Sequence, residues 1–256
     1  MASERIVLLA GQWDTTSIVY NFLKDHFQVQ KVLIEEPVSR KEFLKKRIRK
    51  LGWFTVTGQV LFQLLIGKNL QKTSQKRIQQ ILQQYGLKKD PIPPSEVFPL
   101  HSVNEDACLQ ELLRLRPDII VVHGTRIISK KILNGIPCPF VNIHAGITPR
   151  YRGSHGAYWA LANNDAAHCG VTVHLVDAGI DTGNILYQRN IPLTSKDNFA
   201  TYAYLQLGEG LHCLKKALHD ISEGKTKTLN NELDSALWHH PTLWGYLYKR
   251  IFKGIK

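Results

Sequence analysis

Residues 6–10, IVLLA, form an unbroken apolar run. A helical pattern follows at residues 15–26, and a second apolar-rich run follows at residues 29–34. A short continuous apolar run suits a strand covered on both faces, and strand, helix and strand in that order make a β-α-β start. The alternation resumes with a helical pattern at about residues 105–115, a strand at 118–122 and another at 140–143. The expectation is an α/β chain with a largely parallel central sheet flanked by helices. Ligands of such open sheets bind beyond the carboxyl ends of the strands, where Gly11, Gly124 and the pair Asn142 and His144 fall.

Two segments carry chemistry: VNIHAGITPRYRG at residues 141–153 and GVTVHLVDAGIDTG at residues 170–183. On a strand, side chains two apart share a face, so Asn142 and His144 point at one spot. Residues 170–176 read as a β-branched strand that turns through Ala178 and Gly179, which brings Asp181 beside that pair. A carboxylate next to an imidazole orients it and favours its charged form. The imidazolium and the Asn amide are then two donors for an oxyanion. Taken singly, each residue has a plainer reading: a core histidine bonded to a carbonyl, a turn-forming asparagine, and an aspartate opening the turn before Gly183.

Asn142-x-His144, Pro149-x-Tyr-Arg-Gly153 and Asp-x-Gly-Ile-Asp181-Thr-Gly, in this order, resemble the motifs of the folate-dependent formyltransferase family. That family includes glycinamide ribonucleotide formyltransferase, methionyl-tRNA formyltransferase and the amino-sugar N-formyltransferases. The resemblance runs over about residues 117–192, with the opening strand fitting more weakly. It implies a Rossmann-like formyltransferase fold, N10-formyltetrahydrofolate as co-substrate, no metal, and formyl transfer to a primary amine. Asn142 and His144 would stabilise the oxygen of the tetrahedral intermediate. Asp181 would hold and charge His144 and assist proton transfer through a water. The resemblance also assigns the pterin to Gly124, Arg126, Ile127 and Ile128, with the turn carrying Ala178 and Gly179 closing the other side. His174 is either near the folate tail or simply packed. Alone, residues 123–128 would read as an ordinary strand-to-helix loop.

The departures from family patterns bear on the acceptor. Residues 10–16, AGQWDTT, replace the Gly/Ser-rich loop that cradles phosphate in glycinamide ribonucleotide formyltransferases, leaving Gly11 and the bulky Trp13 at the mouth. The expectation is that the β-rich module of methionyl-tRNA formyltransferases does not follow residue 192 and that no regulatory module precedes the first strand. The expected acceptor is therefore a small-molecule amine, an amino sugar on a nucleotide carrier for surface polysaccharide, with no nucleic acid partner. Alternatives are another small amine (glycinamide ribonucleotide or a hydroxyornithine), a lipid-linked acceptor, or a folate-binding regulator without turnover. Arg150 and Arg152 would contact phosphate or glutamyl carboxylates, or face water; Tyr151 and Gly153 shape the loop.

The chain has 256 residues and a formal net charge of +12. Residues 40–77 hold eleven Lys and Arg against the single acid Glu42, so the basicity belongs to an insertion at about residues 39–87 and not to the whole surface. Residues 51–66 within it are apolar but too short and too interrupted to span a bilayer, and read as amphipathic helices. The insertion is a lid, a patch resting on anionic membrane, or a hairpin packed on the core or on a second subunit. The expected organisation is a catalytic domain at 1–225 containing this insertion and an aromatic, basic tail at 226–256. That tail would stack on a ligand, cover the insertion or join a homodimer interface. Cys108, Cys138, Cys169 and Cys213 have no metal or disulfide spacing. The first ten residues read as a strand and not a signal peptide, so the expected location is cytoplasmic, with contact at the inner membrane face where the insertion docks.

Overall fold

The structure, a computed structural model, describes residues 4–256. Strand β1 (Arg5–Gly11) leads through α1 (Thr16–His26) to β2 (Gln28–Glu35). The basic insertion follows as α2 (Arg40–Leu51), α3 (Trp53–Phe62), a π-helical stretch Gln63–Gly67, α4 (Lys68–Thr73) and α5 (Gln75–Gln84). Next come β3 (Val97–Leu100), α6 (Asp106–Leu115), β4 (Ile119–His123), α7 (Lys130–Gly135) and β5 (Phe140–His144). The chain continues through β6 (Arg152–Gly153), α8 (Gly156–Ala162), β7 (Gly170–Leu175), β8 (Ile185–Asn190), α9 (Phe199–Ser222), β9 (Leu237–Trp238) and α10 (Leu243–Lys253).

Seven strands form one sheet in the order β3-β2-β1-β4-β5-β7-β8. The first five run parallel, while β7 pairs antiparallel with β5 and with β8. Burial explains the uninterrupted apolar run of β1: Ile6, Leu8 and Ala10 face α1 and α9, and Val7 and Leu9 face α6 and α7. The sequence reading missed β3. It is four residues long, lies on an edge and contains Pro99, and an edge strand is where a missing N–H is tolerated. Helix α9 starts at a capping box formed by Asn198 and Thr201 and covers β5, β7 and β8.

The insertion joins the body through polar contacts and through buried side chains of α3 and of α5, where Ile78 and Ile81 enter the core. Arg77 forms an ion pair with Asp197 at 2.8 Å, and Tyr85 donates to Glu209 at 2.7 Å. Helix α3 buries Val56, Gln59 and Phe62, whereas α2 buries nothing. The tail meets the same helix: Phe54 stacks on Trp244 at 4.4 Å, and Tyr246 packs against Phe62. Strand β9 pairs with β6, so the tail also braces the loop between β5 and α8.

Candidate active site

From β1 the chain crosses to β2 on one side, and β4 lies on the other, so a crevice opens beyond the carboxyl ends of β1 and β4. Ala10 is paired with His123, and Gly11 and Gly124 therefore leave the sheet side by side. Trp13 bridges them, its indole N–H donating to the Gly124 carbonyl at 2.7 Å. Gly124 has φ +63°, and a side chain there would strike the Trp13 ring. The cleft encloses about 420 Å³; one wall is the loop after β4 and the other is the turn after β7.

Asn142, His144 and His174 line this cleft together with Asp181. Asn142 and His144 share a face of β5, and the cross-strand neighbour of Asn142 is His174. The loop between β7 and β8 folds back over that face, with Asp181 held at φ +52°, an uncommon conformation for a residue with a side chain. Its carboxylate lies 3.2 Å from Nδ1 of His144 and 3.7 Å from Nε2 of His174, and accepts the Gly153 N–H at 2.9 Å.

Hydrogen-bond partners fix the protons. His174 Nδ1 sits 2.8 Å from the Leu175 carbonyl, so it donates there and its Nε2 accepts from the Asn142 amide at 3.1 Å. One N–H of Asn142 remains uncommitted. His144 Nε2 lies 2.7 Å from the Tyr151 carbonyl while Nδ1 faces Asp181; both partners only accept, which suits an imidazolium. Burial opposes the charge on His144, but the hydrogen bond and charge of Asp181 outweigh it and raise its pKa above the ordinary value. Burial likewise acts to raise the Asp181 pKa, but the hydrogen bond and charge of His144, with the Gly153 N–H, override it and hold the carboxyl far below its usual range. One expectation needs correction: with both ring nitrogens engaged, His144 has no free N–H to donate to a ligand unless it leaves the Tyr151 carbonyl. The uncommitted donor is on Asn142.

The other expected residues divide. Gly124, Ile127, Ile128 and Gly179 line the cleft, but Ala178 does not. Arg126 lies on the wall with its guanidinium already spent on the His101 and Glu36 carbonyls and close to Glu35, so it braces the loop. Arg150 and Tyr151 lie outside the cleft lining: both bond to Asp165, and the Tyr151 ring is buried against Trp238. Arg152 is outside the lining too and holds the Ile180 carbonyl, steadying the turn that carries Asp181. Gly11 sits behind Trp13, and Trp13 itself forms the rim.

Sequence reasoning missed a second compartment. Across Trp13, Gly124 and Ser154 the cleft adjoins a chamber of about 380 Å³ bounded by His155, Tyr158, Phe199 and His240. It leads to a cavity of about 570 Å³ under the insertion, bounded there by Gln63, Lys68, Gln71 and Tyr204. His155 and His240 share a hydrogen bond of 2.8 Å. Burial pushes the His240 pKa down to about 4 and that of His155 well below its ordinary value, so both are neutral near pH 7. The Tyr158 hydroxyl is buried with no hydrogen-bond partner among the described residues. Only the histidines of the aromatic tail hinted at this in the sequence.

The family model described as formyl transferase matches residues 59–208. Methionyl-tRNA formyltransferase from Caldanaerobacter subterraneus subsp. tengcongensis is 34% identical over 123 residues, 48% of this chain and 40% of that protein. The chain thus spans less than half the length of this curated relative. A sugar N-formyltransferase from a Shewanella species superposes with TM-score 0.53 at 18% identity, over 91% of this chain and 76% of that one. An N-formyltransferase from Helicobacter canadensis, solved with folinic acid and dTDP-3-aminofucose, does so with TM-score 0.52 at 16% identity, over 91% and 70%. These structures share the α/β fold of a mostly parallel sheet flanked by helices. With more than half of its residues matched by the family model, the chain belongs to the formyl transferase family.

Proposed function

We propose that the protein transfers the formyl group of N10-formyltetrahydrofolate to the primary amine of an amino sugar carried on a nucleotide. The observation that carries this reading is the Asp181–His144 pair and the free N–H of Asn142 converging on one cleft. The cleft suits a pterin: Ile127 and Ile128 offer apolar surface, Gly124 lets backbone approach, and the backbone of Gly179 and Ile180 stands opposite. The bound folate supplies the activated formyl group. When the amine attacks, the Asn142 amide donates to the developing oxyanion, and the positive charge of His144 stabilises it. Asp181 keeps His144 charged and positioned. The proton leaving the amine passes by way of solvent near Asp181 to the folate nitrogen, the bond from that nitrogen to the formyl carbon breaks, and the formylated amine and tetrahydrofolate are released.

The chamber beyond Trp13 is the acceptor's place in this reading. Its aromatic walls suit a sugar face, and the unpartnered Tyr158 hydroxyl and the His155–His240 pair suit sugar hydroxyls. The test is mass spectrometry of nucleotide-linked amino sugars and small amines incubated with protein and N10-formyltetrahydrofolate. A formyl adduct on a sugar nucleotide supports the reading. Adducts on other amines alone would move the acceptor class, and folate binding without any adduct would leave a binding protein.

A further inference from the structure

On α3 and the π-helical stretch, Trp53, Phe54, Val60, Leu61, Leu64 and Leu65 recur at helical spacing and are all exposed, while Val56, Gln59 and Phe62 point inward. On α10, Trp244, Leu247, Tyr248, Ile251 and Phe252 make a second exposed stripe opposite the buried Tyr246. The stacked rings of Phe54 and Trp244 join the two stripes into one apolar surface. Trp53 is 69% exposed and Ile251 and Phe252 are each 72% exposed. An isolated exposed leucine would need no explanation, but a surface of this many large side chains does.

Cations surround it. Helix α2, which packs on α3 and buries none of its own residues, carries Arg40, Lys41, Lys45, Lys46, Arg47, Arg49 and Lys50 against Glu42 alone. At the other end, residues 235–256 contain no acid and supply Lys249, Arg250, Lys253 and Lys256. No helix among the described residues is long and apolar enough to cross a membrane.

We propose that the α2, α3 and α10 surface docks on an anionic lipid bilayer, its aromatic and aliphatic side chains entering the headgroup region and its lysines and arginines pairing with lipid phosphates. Charge complementarity selects this occupant. A second copy would bring two cationic rims together, and a nucleic acid could stack bases on the aromatic rings but offers nothing for Leu61, Leu64, Leu65, Leu247 and Ile251. The opposite side of the same segment, at Gln63, Lys68 and Gln71, bounds the inner cavity, so docking would hold that cavity beside the bilayer. This proposal does not depend on the formyl-transfer reading.

The test is flotation of the full chain with phosphatidylcholine vesicles, with and without phosphatidylglycerol. Flotation is expected only with phosphatidylglycerol and should weaken in high salt. Each basic residue near such a surface strengthens association about fivefold, so Lys45→Glu with Arg49→Glu should cut binding on the order of tenfold or more. Trp53→Glu with Phe252→Glu should do the same through the apolar centre, and all four side chains are exposed, so thermal unfolding should be unchanged. No flotation, equal flotation with neutral vesicles, or binding that survives both double variants would overturn the proposal. So would a dimer broken by the aromatic variant, or RNA binding lost with the basic variant alone and no vesicle association.

Discussion

Asp181 Oδ2 lies 3.2 Å from Nδ1 of His144, and each residue sets the ionisation of the other. Burial opposes the charge on both, and each partner offsets that penalty for the other. Asp181→Asn keeps the shape and removes the charge, leaving burial as the main influence on His144, so the His144 pKa should fall below its ordinary value. If transfer requires imidazolium, the alkaline limb of kcat/KM moves to lower pH, and turnover at neutral pH drops on the order of a hundredfold or more. Folate affinity, measured by fluorescence titration, should change little. An unshifted limb would remove His144 from the charged role.

Stability should follow the same pair. The raised His144 pKa contributes stability that is complete below the ordinary imidazole value of 6.5 and is lost as pH rises through the raised value. The depressed Asp181 pKa contributes stability present above the ordinary carboxyl value of 3.8 and lost as pH falls through the depressed value. The gap in thermal midpoint between the native protein and Asp181→Asn should therefore be widest between those two values and narrow on either side. A gap constant over that whole range would mean that the pair is not linked to folding.

Gly146 offers a different route to the same ring. A side chain at this position would strike the Tyr151 carbonyl and press on His144 Nε2. Gly146→Ala should displace the carbonyl that holds the ring and crowd the ring itself, lowering kcat by roughly tenfold to a hundredfold from a position outside the cleft lining. The check is single-turnover kinetics alongside the folded-state circular dichroism spectrum. Native rates in a native fold would show that the Tyr151 contact is dispensable.

The β-α-β start, the strand carrying Asn142 and His144, and the turn carrying Asp181 were legible because each depends on local pattern: an apolar run, two-residue alternation and a glycine-rich turn. The partner of Arg150 was not legible, because an arginine in a motif looks available for anions until its partner is known, and Asp165 is fifteen residues away. His155 and His240 are eighty-five residues apart, and nothing local says that they meet. Strand β3 was hidden by its brevity and by Pro99. The exposed faces of α3 and α10 read as amphipathic, but periodicity does not say which stripe is covered or that two stripes join.

Arg77 and Asp197 tie the insertion to the start of α9 with bonds of 2.8 and 3.0 Å, and the Asp197 side chain is 1% exposed. Arg77→Met would leave that carboxylate buried with only its Thr194 and Thr201 contacts. The expected cost is about 3 kcal/mol, or a drop of roughly 6–12 °C in Tm. Adding Asp197→Asn should restore part of the loss by removing the uncompensated charge. If Arg77→Met alone leaves Tm unchanged, the insertion is held by its apolar contacts.

Trp13 stands between the cleft proposed for folate and the chamber proposed for the acceptor, fixed by its bond to the Gly124 carbonyl. Trp13→Phe keeps an aromatic rim and loses one hydrogen bond, about 1 kcal/mol or fivefold. Because the residue is 61% exposed, folding should tolerate both this change and Trp13→Ala. The acceptor KM should rise several-fold in the phenylalanine variant and further in the alanine variant, with kcat largely kept, since the catalytic cluster is supported from the opposite wall. A fall in kcat at constant KM would instead place Trp13 in the transition state and move the acceptor away from the chamber.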